Sequence, residues 1–561
     1  MAQRPRLARH PLSLLSFILA VVIGHTALLP AVFSQDPFRV DPAGVPGPLL
    51  ISGGRSSEAV LDKFVELAGG YNAKLVIVMT ASPLADAAYG NEEQEARWKW
   101  YWAARGVRDV RMVHVYGRED AEEPLLAAQL DDATGVWFGG GVQTRLTDRL
   151  RGSSFEKALF AYHRRGGLIG GTSAGAAVQS QVMIARGKDR PEFDTGFDLL
   201  PGAIIDQHFL VRRRIGRLKV ALEQHPGRVG FGIDEGAAVV VHNRRVEVVG
   251  DSTVTVLFSP GAGYSEKEVV LQPGSKSDFT ALRRAAVART IAPPTAAPKK
   301  SAVTEGSLVI VGGGGTPPDA LAGFIRRAGG PEAPIVVLPT AMPDPLPPED
   351  KIPEVRMFKQ AGAKNVLVLT ARSPEEVESA KFQQAIKQAG GVWFGGGRQW
   401  RFVDAYAGTT AVKLFHDVLA RGGVIGGSSA GASIQGELLC RGNPLGNEEI
   451  LCEGYDRGFG FLPGTAIDQH FSERKRLDDM LTLTKQRPNV LGIGIDEGTA
   501  MIVHGASAEV VGKGKVFFFP DGSRRDGMET PYLAVGAGKR FDLAACRAVE
   551  ENAAALDGMG R

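Results

Sequence analysis

Four segments of this chain are written twice, in the same order, and that duplication constrains the fold more than any other feature. GVWFGGGVQTRL (135–146) returns as GVWFGGGRQWRF (391–402), and GGLIGGTSAGAA (166–177) returns as GGVIGGSSAGAS (422–433). LLPGAIIDQHF (199–209) returns as FLPGTAIDQHF (461–471), and GFGIDEGAAVVVH (230–242) returns as GIGIDEGTAMIVH (492–504). The opening strands match more loosely, LLISGG (49–54) against LVIVGGGG (308–315). The second copy trails the first by 256 residues at the serine motif and by 262 at the histidine motif. So long a period means two whole domains, because solenoid repeats run only about 20–50 residues. Residues 285–305, AAVARTIAPPTAAPKKSAVTE, are rich in Ala, Pro and Lys and read as a linker. The expected division is therefore 35–284, a linker over 285–305, and 306–561.

Residues 1–34 are set aside from both copies. Arg4, Arg6, Arg9 and His10 precede the apolar run LSLLSFILAVVI (12–23), the pattern of a secretory signal with cleavage near Ser34. The run is short for a bilayer span and is followed by Gly24, His25 and Pro30, so a secreted or periplasmic location is expected. The alternative is an uncleaved membrane anchor. With 65 basic and 62 acidic residues the net charge is only +3, which argues against a general nucleic-acid binder. Three cysteines do not make a disulfide scaffold. Cys440 and Cys452 either pair in an exported chain or serve as small hydrophobes.

Within each copy, short apolar runs alternate with helical patterns. KLVIVMT (74–80) and PIVVLPT (334–340) are continuous and β-branched, as buried parallel strands are. SSFEKALFAYHRR (153–165) and TAVKLFHDVLA (410–420) carry helical spacing. Such alternation predicts an α/β fold, a parallel sheet covered by helices on both faces. The segments 239–250 and 501–512 read as an edge hairpin.

The repeated nonapeptides GGTSAGAAV (170–178) and GGSSAGASI (426–434) contain G-x-S-x-G, between a short strand and a small-residue helix start. A serine raised on a sharp turn needs neighbours with almost no side chain, and the amide after it can meet an oxyanion. Neither copy continues into Gly-Lys-Ser/Thr, which counts against a phosphate-binding loop. A serine nucleophile needs a base, and the base needs an orienting acid. DQHF supplies His208 and His470. In each copy the glutamate of GIDEG, Glu235 or Glu497, follows the histidine by 27 residues. Asp234 and Asp496 precede those glutamates, and on a strand only one of each pair can face the imidazole; spacing leaves that choice open. The Ser-His-acid order differs from the Ser-acid-His order of α/β-hydrolases. No spacing fits a common zinc motif, so neither metal nor cofactor is expected.

GGTSAGA, IIDQHF followed by arginines, GIDEG and WFGGGVQ together resemble the cyanophycinase branch of the serine peptidases that also include dipeptidase E. The resemblance covers nearly the whole chain after residue 34, twice. It implies two tandem flavodoxin-like αβα sandwich domains with mostly parallel sheets, and Ser–His–Glu triads at Ser173, His208, Glu235 and at Ser429, His470, Glu497. It places substrate contacts on Gln143, Asp206, Gln207, Arg212, Arg214 and Arg217, and in the second copy on Gln399, Asp468, Gln469, Arg474 and Arg476. Amides at Gly140 and Ala174, and at Gly396 and Ala430, are expected to hold the oxyanion. The implied substrate is cyanophycin, a poly-aspartate carrying arginine on each β-carboxyl, whose free carboxylates an arginine cluster suits.

The copies differ at one point of that pattern. Where the first has Arg217 the second has Asp479, which should weaken a carboxylate grip, and the second has a longer segment between serine and histidine. The first copy is thus expected to be the cyanophycinase-like site. The rival functions are an Asp-specific dipeptidase or isoaspartyl peptidase, and an exported binding protein with inactive triads. Because the family tends to dimerise, the two halves are expected to form an intramolecular pseudo-dimer.

Overall fold

The computed structural model describes residues 40–291, 301–520 and 530–549. Each half is built on one large sheet. In the first, the strands run in the spatial order Lys276–Asp278, Arg245–Gly250, Ala237–Asn243, Val45–Ser52, Leu168–Thr172, Gly135–Phe138, Lys74–Val78, Asp109–Val113. The last five are mutually parallel. Period-2 alternation splits their side chains between two cores: Leu49, Ile51, Val76 and Val78 pack on one face, Leu50, Leu75 and Ile77 on the other. Helix Ser154–Arg164 closes the first face with Phe155, Leu159 and Tyr162, and helix Glu58–Leu67 closes the second with Val60 and Phe64. The result is the αβα sandwich expected. The second half repeats it around Val303–Val311, Val424–Ser428, Gly391–Phe394, Ile335–Leu338 and Val366–Val368. An aromatic trio recurs at the same place, Phe64–Trp102–Trp137 in one half and Phe324–Phe358–Trp393 in the other. Truncating Phe64, which is fully buried, would cost on the order of 3–5 kcal/mol.

A smaller sheet stands beside each large one. In the first half it holds Lys267–Leu271, Val254–Phe258, Val229–Ile233 and Ala203–Gln207, the last two parallel. These two strands deliver the histidine and acid motifs, whereas the large sheet delivers the serine.

The expected boundaries shift at the linker. Residues 285–288 close the helix Phe279–Ala288, with Ala285 and Ala286 buried, and residues 303–305 open the strand Val303–Val311. The alanine run that reads as linker composition is a helix former once Phe279 gives it a core to pack on. The central residues 292–300 and the expected signal 1–34 lie outside the described residues. Nor is the hairpin 239–250 the sheet's last element, since Lys276–Asp278 pairs beyond it. Cys440 and Cys452 are thiols, not a disulfide. Among the described residues no helix is long and apolar enough to cross a membrane.

The halves meet through unlike surfaces. Arg244, in the hairpin turn of the first half, pairs with Asp278 of its own half and Asp404 of the other, at 2.6 and 2.7 Å. It also donates to the Tyr455 hydroxyl and lies over the Trp400 ring. Arg284 adds a second pair to Asp404. Around this centre Tyr264 donates to Asp456, while Lys267 and Arg289 pair with Glu453. The second half's residue matching Arg244 is Ala506, so the contact has no mirror image and is heterologous, not two-fold.

Candidate active site

Ser173 directly follows the strand Leu168–Thr172 and precedes the short helix Ala174–Ala177. Its backbone is left-handed, φ 54° and ψ −108°, and Ser429 matches it at 56° and −112°. Such dihedrals are costly for a residue with a Cβ and persist only where surroundings impose them. Here the glycines of the motif do so: a Cβ on Gly171 would strike the Gly175 carbonyl, and one on Gly175 would strike that of Phe138. The elbow leaves both serines partly exposed.

His208 follows Ala203–Gln207, and Glu235 lies two residues past Val229–Ile233. Because Gln207 registers against Ile233 in the parallel pair, the two strand ends present imidazole and carboxylate side by side. Ser173 Oγ lies 2.8 Å from His208 Nε2, and His208 Nδ1 lies 2.7 Å from Glu235 Oε1. The second half repeats the chain, 2.8 Å from Ser429 Oγ to His470 Nε2 and 2.5 Å from His470 Nδ1 to Glu497 Oε1. Glutamate, not aspartate, therefore faces the imidazole. Asp234 Oδ1 instead accepts the amides of Leu210 and Val211, fixing the turn that follows the histidine. Asp496 accepts those of Ser472 and Lys515. Burial pushes both imidazoles below their ordinary 6.5, against the upward pull of the glutamate hydrogen bond, so each histidine is a neutral base at neutral pH.

Repetition in the sequence did not single out what seats these rings. Gly54 and Gly313, in the loosely matching opening segments, lie directly against the imidazoles, at φ 126° and 105°, where an added Cβ would fall on Cε1. The carbonyls of Gly53 and Gly54 accept the amides of His208 and Gly236, clamping both strand ends. Gly312 and Gly313 do the same for His470 and Gly498. Arg55, next along, pairs through Nε with Glu235 Oε2 at 3.2 Å. Its counterpart is Gly314, and Glu497 is correspondingly more exposed, 39% against 14% for Glu235.

The predicted substrate-contacting residues divide into two groups. Arg212 and Arg474 stand exposed at the mouth of their sites, as do Arg213 and Lys475. Arg214 and Arg217 turn inward. Arg217 is buried and grips Asp206, with Nε at 2.9 Å from Oδ2, and Arg214 binds the Gln207 carbonyl and side chain. Arg217 is thus committed to a buried carboxylate and Arg214 chiefly to Gln207, and both form part of the wall of the site. Gln143 and Gln399 act likewise, donating to the carbonyls of Ile184 and Ala185, and of Cys440.

Asp479 has a partner that the sequence reading did not find. Arg441, from the longer segment of the second half, pairs with Asp468 at 3.0 Å and Asp479 at 2.6 Å. Arg476 also reaches Asp468, at 2.7 Å, and its neighbour Gln469 is buried. The guanidinium that Arg217 supplies from a helix in the first half thus comes from a loop in the second. Arg441 also donates to the carbonyls of Asn447 and Glu448, and Arg398 to those of Asn443 and Gly446, tying that loop down. The only available signal was the shared Arg-Gly pair at 186–187 and 441–442.

The expected oxyanion amides also part company. Ala174 and Ala430 each open a short helix, where amides have no partner within the helix. Gly140 backs onto Ser173, and its amide meets no acceptor among the described residues. The Gly396 amide is not open in this way: it donates to Glu354 Oε1 at 3.2 Å.

Two αβα sandwiches, each with a hydroxyl, an imidazole and a carboxylate hydrogen-bonded in series on a glycine-framed elbow, define a hydrolase scaffold carried in duplicate. The model of peptidase family S51 matches residues 49–249 and again residues 308–511, and the chain belongs to that family. The cyanophycinase of Synechococcus elongatus is 32% identical over 218 residues, 37% of this chain and 65% of that protein, so just under two thirds of that relative's length is covered. The cyanophycinase of Geminocystis herdmanii (strain PCC 6308) is 31% identical over 230 residues, 39% of this chain and 82% of that protein. Among solved structures, a peptidase from an acI-B1 Actinobacterium aligns with a TM-score of 0.35 at 22% identity, over 42% of this chain and 98% of that one.

Proposed function

We propose that this chain is an exported serine peptidase that hydrolyses cyanophycin, or related Asp-containing peptides, through Ser–His–Glu triads, with Ser173 the principal nucleophile. The observation that carries this reading is the unbroken series Ser173 Oγ, His208 Nε2, His208 Nδ1, Glu235 Oε1 on a left-handed elbow. His208 takes the Oγ proton as Oγ bonds to the scissile carbonyl carbon, and Glu235 steadies the imidazolium. The tetrahedral oxyanion lies between the Gly140 and Ala174 amides. Collapse breaks the C–N bond, His208 Nε2 returns the proton to the leaving amine, and water then hydrolyses the acyl-serine by the same steps.

The exposed Arg212 and Arg213 favour a substrate bearing free carboxylates, as the arginyl units of cyanophycin do. Export is supported by the basic start and apolar run 12–23. The double variant Ser173→Ala, Ser429→Ala should release no product from cyanophycin or from Asp-X dipeptides in an amine-release assay. Turnover that survives the double substitution removes the serine mechanism, and dipeptide cleavage without polymer cleavage reassigns the substrate.

A further inference from the structure

The two sites differ most sharply under the glycine loop that faces each serine. In the first half the space beneath Gly139 is apolar, with Met79 3.3 Å from where a Cβ would stand. Met79 and Trp98 both pack against the core that holds Phe64 and Trp102. In the second half Met79 is replaced by Pro339, which cannot reach into that space, and Trp98 by Glu354. The equivalence rests on the shared aromatic trio: Trp98 lies four residues before Trp102, as Glu354 lies four before Phe358. The carboxylate of Glu354 thus lies under Gly395, where the first site has the Met79 thioether under Gly139. Glu354 Oε1 accepts the Gly396 amide at 3.2 Å, and Glu354 Oε2 is buried with no hydrogen-bond partner among the described residues.

We infer that Glu354 sets the reactivity of the second site, by holding the Gly396 amide that an oxyanion would need. This rests on the serine-nucleophile reading above. A carboxylate there acts twice. It takes up one of two donors, and its charge opposes the negative charge that develops on the substrate oxygen. Loss of a single oxyanion donor typically lowers turnover by about 10²–10³. The triad of the second half is complete, so the deficit belongs to charge stabilisation and not to the nucleophile. Substrate binding at the exposed Arg474 is left intact, and the second site holds ligands that it turns over slowly.

The test uses a fluorophosphonate on the full chain, with the labelling rates of Ser173 and Ser429 read separately by peptide mass spectrometry. Serine Oγ displaces fluoride from phosphorus, and the phosphoryl oxygen enters the oxyanion position. In the unsubstituted protein Ser173 should label faster than Ser429 by at least about tenfold. Glu354→Ala, which frees the Gly396 amide and removes the charge, should raise the Ser429 rate by at least about tenfold; Glu354→Gln, which removes the charge but keeps an acceptor, should raise it less, and both should leave the Ser173 rate, an internal reference in the same molecule, unchanged. Equal rates at the two serines without substitution overturn the inference. So does a Ser429 rate that stays the same or falls in both variants, since Glu354 would then merely tether the loop. In either case fast labelling of Ser173 leaves the proposed function standing; failure of both serines to label removes the function and the inference together.

Discussion

At the residue scale, orientation of the base matters more than any added charge around it. Glu235 is the hydrogen-bond partner of His208 Nδ1, so Glu235→Gln, assayed with Ser429→Ala to silence the second site, should lower kcat on the order of 10³–10⁴-fold through the wrong tautomer. Arg55→Ala in the same background should cost only a few-fold, because Arg55 is 83% exposed and ion pairs of that kind contribute little. Because burial holds the imidazole below 6.5 and only its neutral form accepts the Oγ proton, kcat/KM should stay on its plateau as pH falls through 6.5 and decline only below it. An acidic limb above 6.5 in the pH–rate profile would contradict the buried, neutral base.

At the element scale, three strand ends and one glycine turn make the site. The strands Leu168–Thr172, Ala203–Gln207 and Val229–Ile233 deliver serine, histidine and glutamate, and the turn after Val45–Ser52 receives the ring. Gly54→Ala should therefore abolish labelling of Ser173 by a phosphonate and spare Ser429; at φ 126° an L side chain is strained, and its Cβ would displace the imidazole. This level also marks where the sequence was readable. Ser173, His208 and Glu235 stood out because each recurs in a motif with fixed spacing, and the αβα layers followed from alternating apolar runs. Spacing could not separate Asp234 from Glu235; the family resemblance favoured the glutamate, and the physical reason is the register of two parallel strands, which no single segment carries. Arg441, Glu354 and Arg55 were invisible for the opposite reason. A comparison of repeats finds what the copies share: Glu354 and Arg55 are residues where they diverge, and Arg441 matches Arg186 in type but not in partners, each meaningful only through a contact far away in the chain.

At the scale of the whole molecule, the longer loop of the second half has two ends with two tasks. Arg441 completes the wall of the second site, while Glu453, Tyr455 and Asp456 dock on the first half. Asp404 is the buried acceptor between Arg244, Arg284 and Tyr455. Asp404→Ala should strip Arg284 of its carboxylate partner and leave Arg244 with Asp278 alone, at a cost of about 3 kcal/mol. Calorimetry should then resolve two unfolding transitions where the unsubstituted chain gives one. A single transition at an unchanged temperature would show that the halves are coupled elsewhere.

A joint between unlike faces of two similar units is the kind that can extend into a fibre, each new unit offering the face that the next one needs. Here the plug and the socket exist once each: the first half presents Thr144 where the socket has Trp400, and the second presents Ala506 where the plug has Arg244. Divergence at these two positions thus removes the Arg244–Trp400 contact from the faces that a further unit would meet.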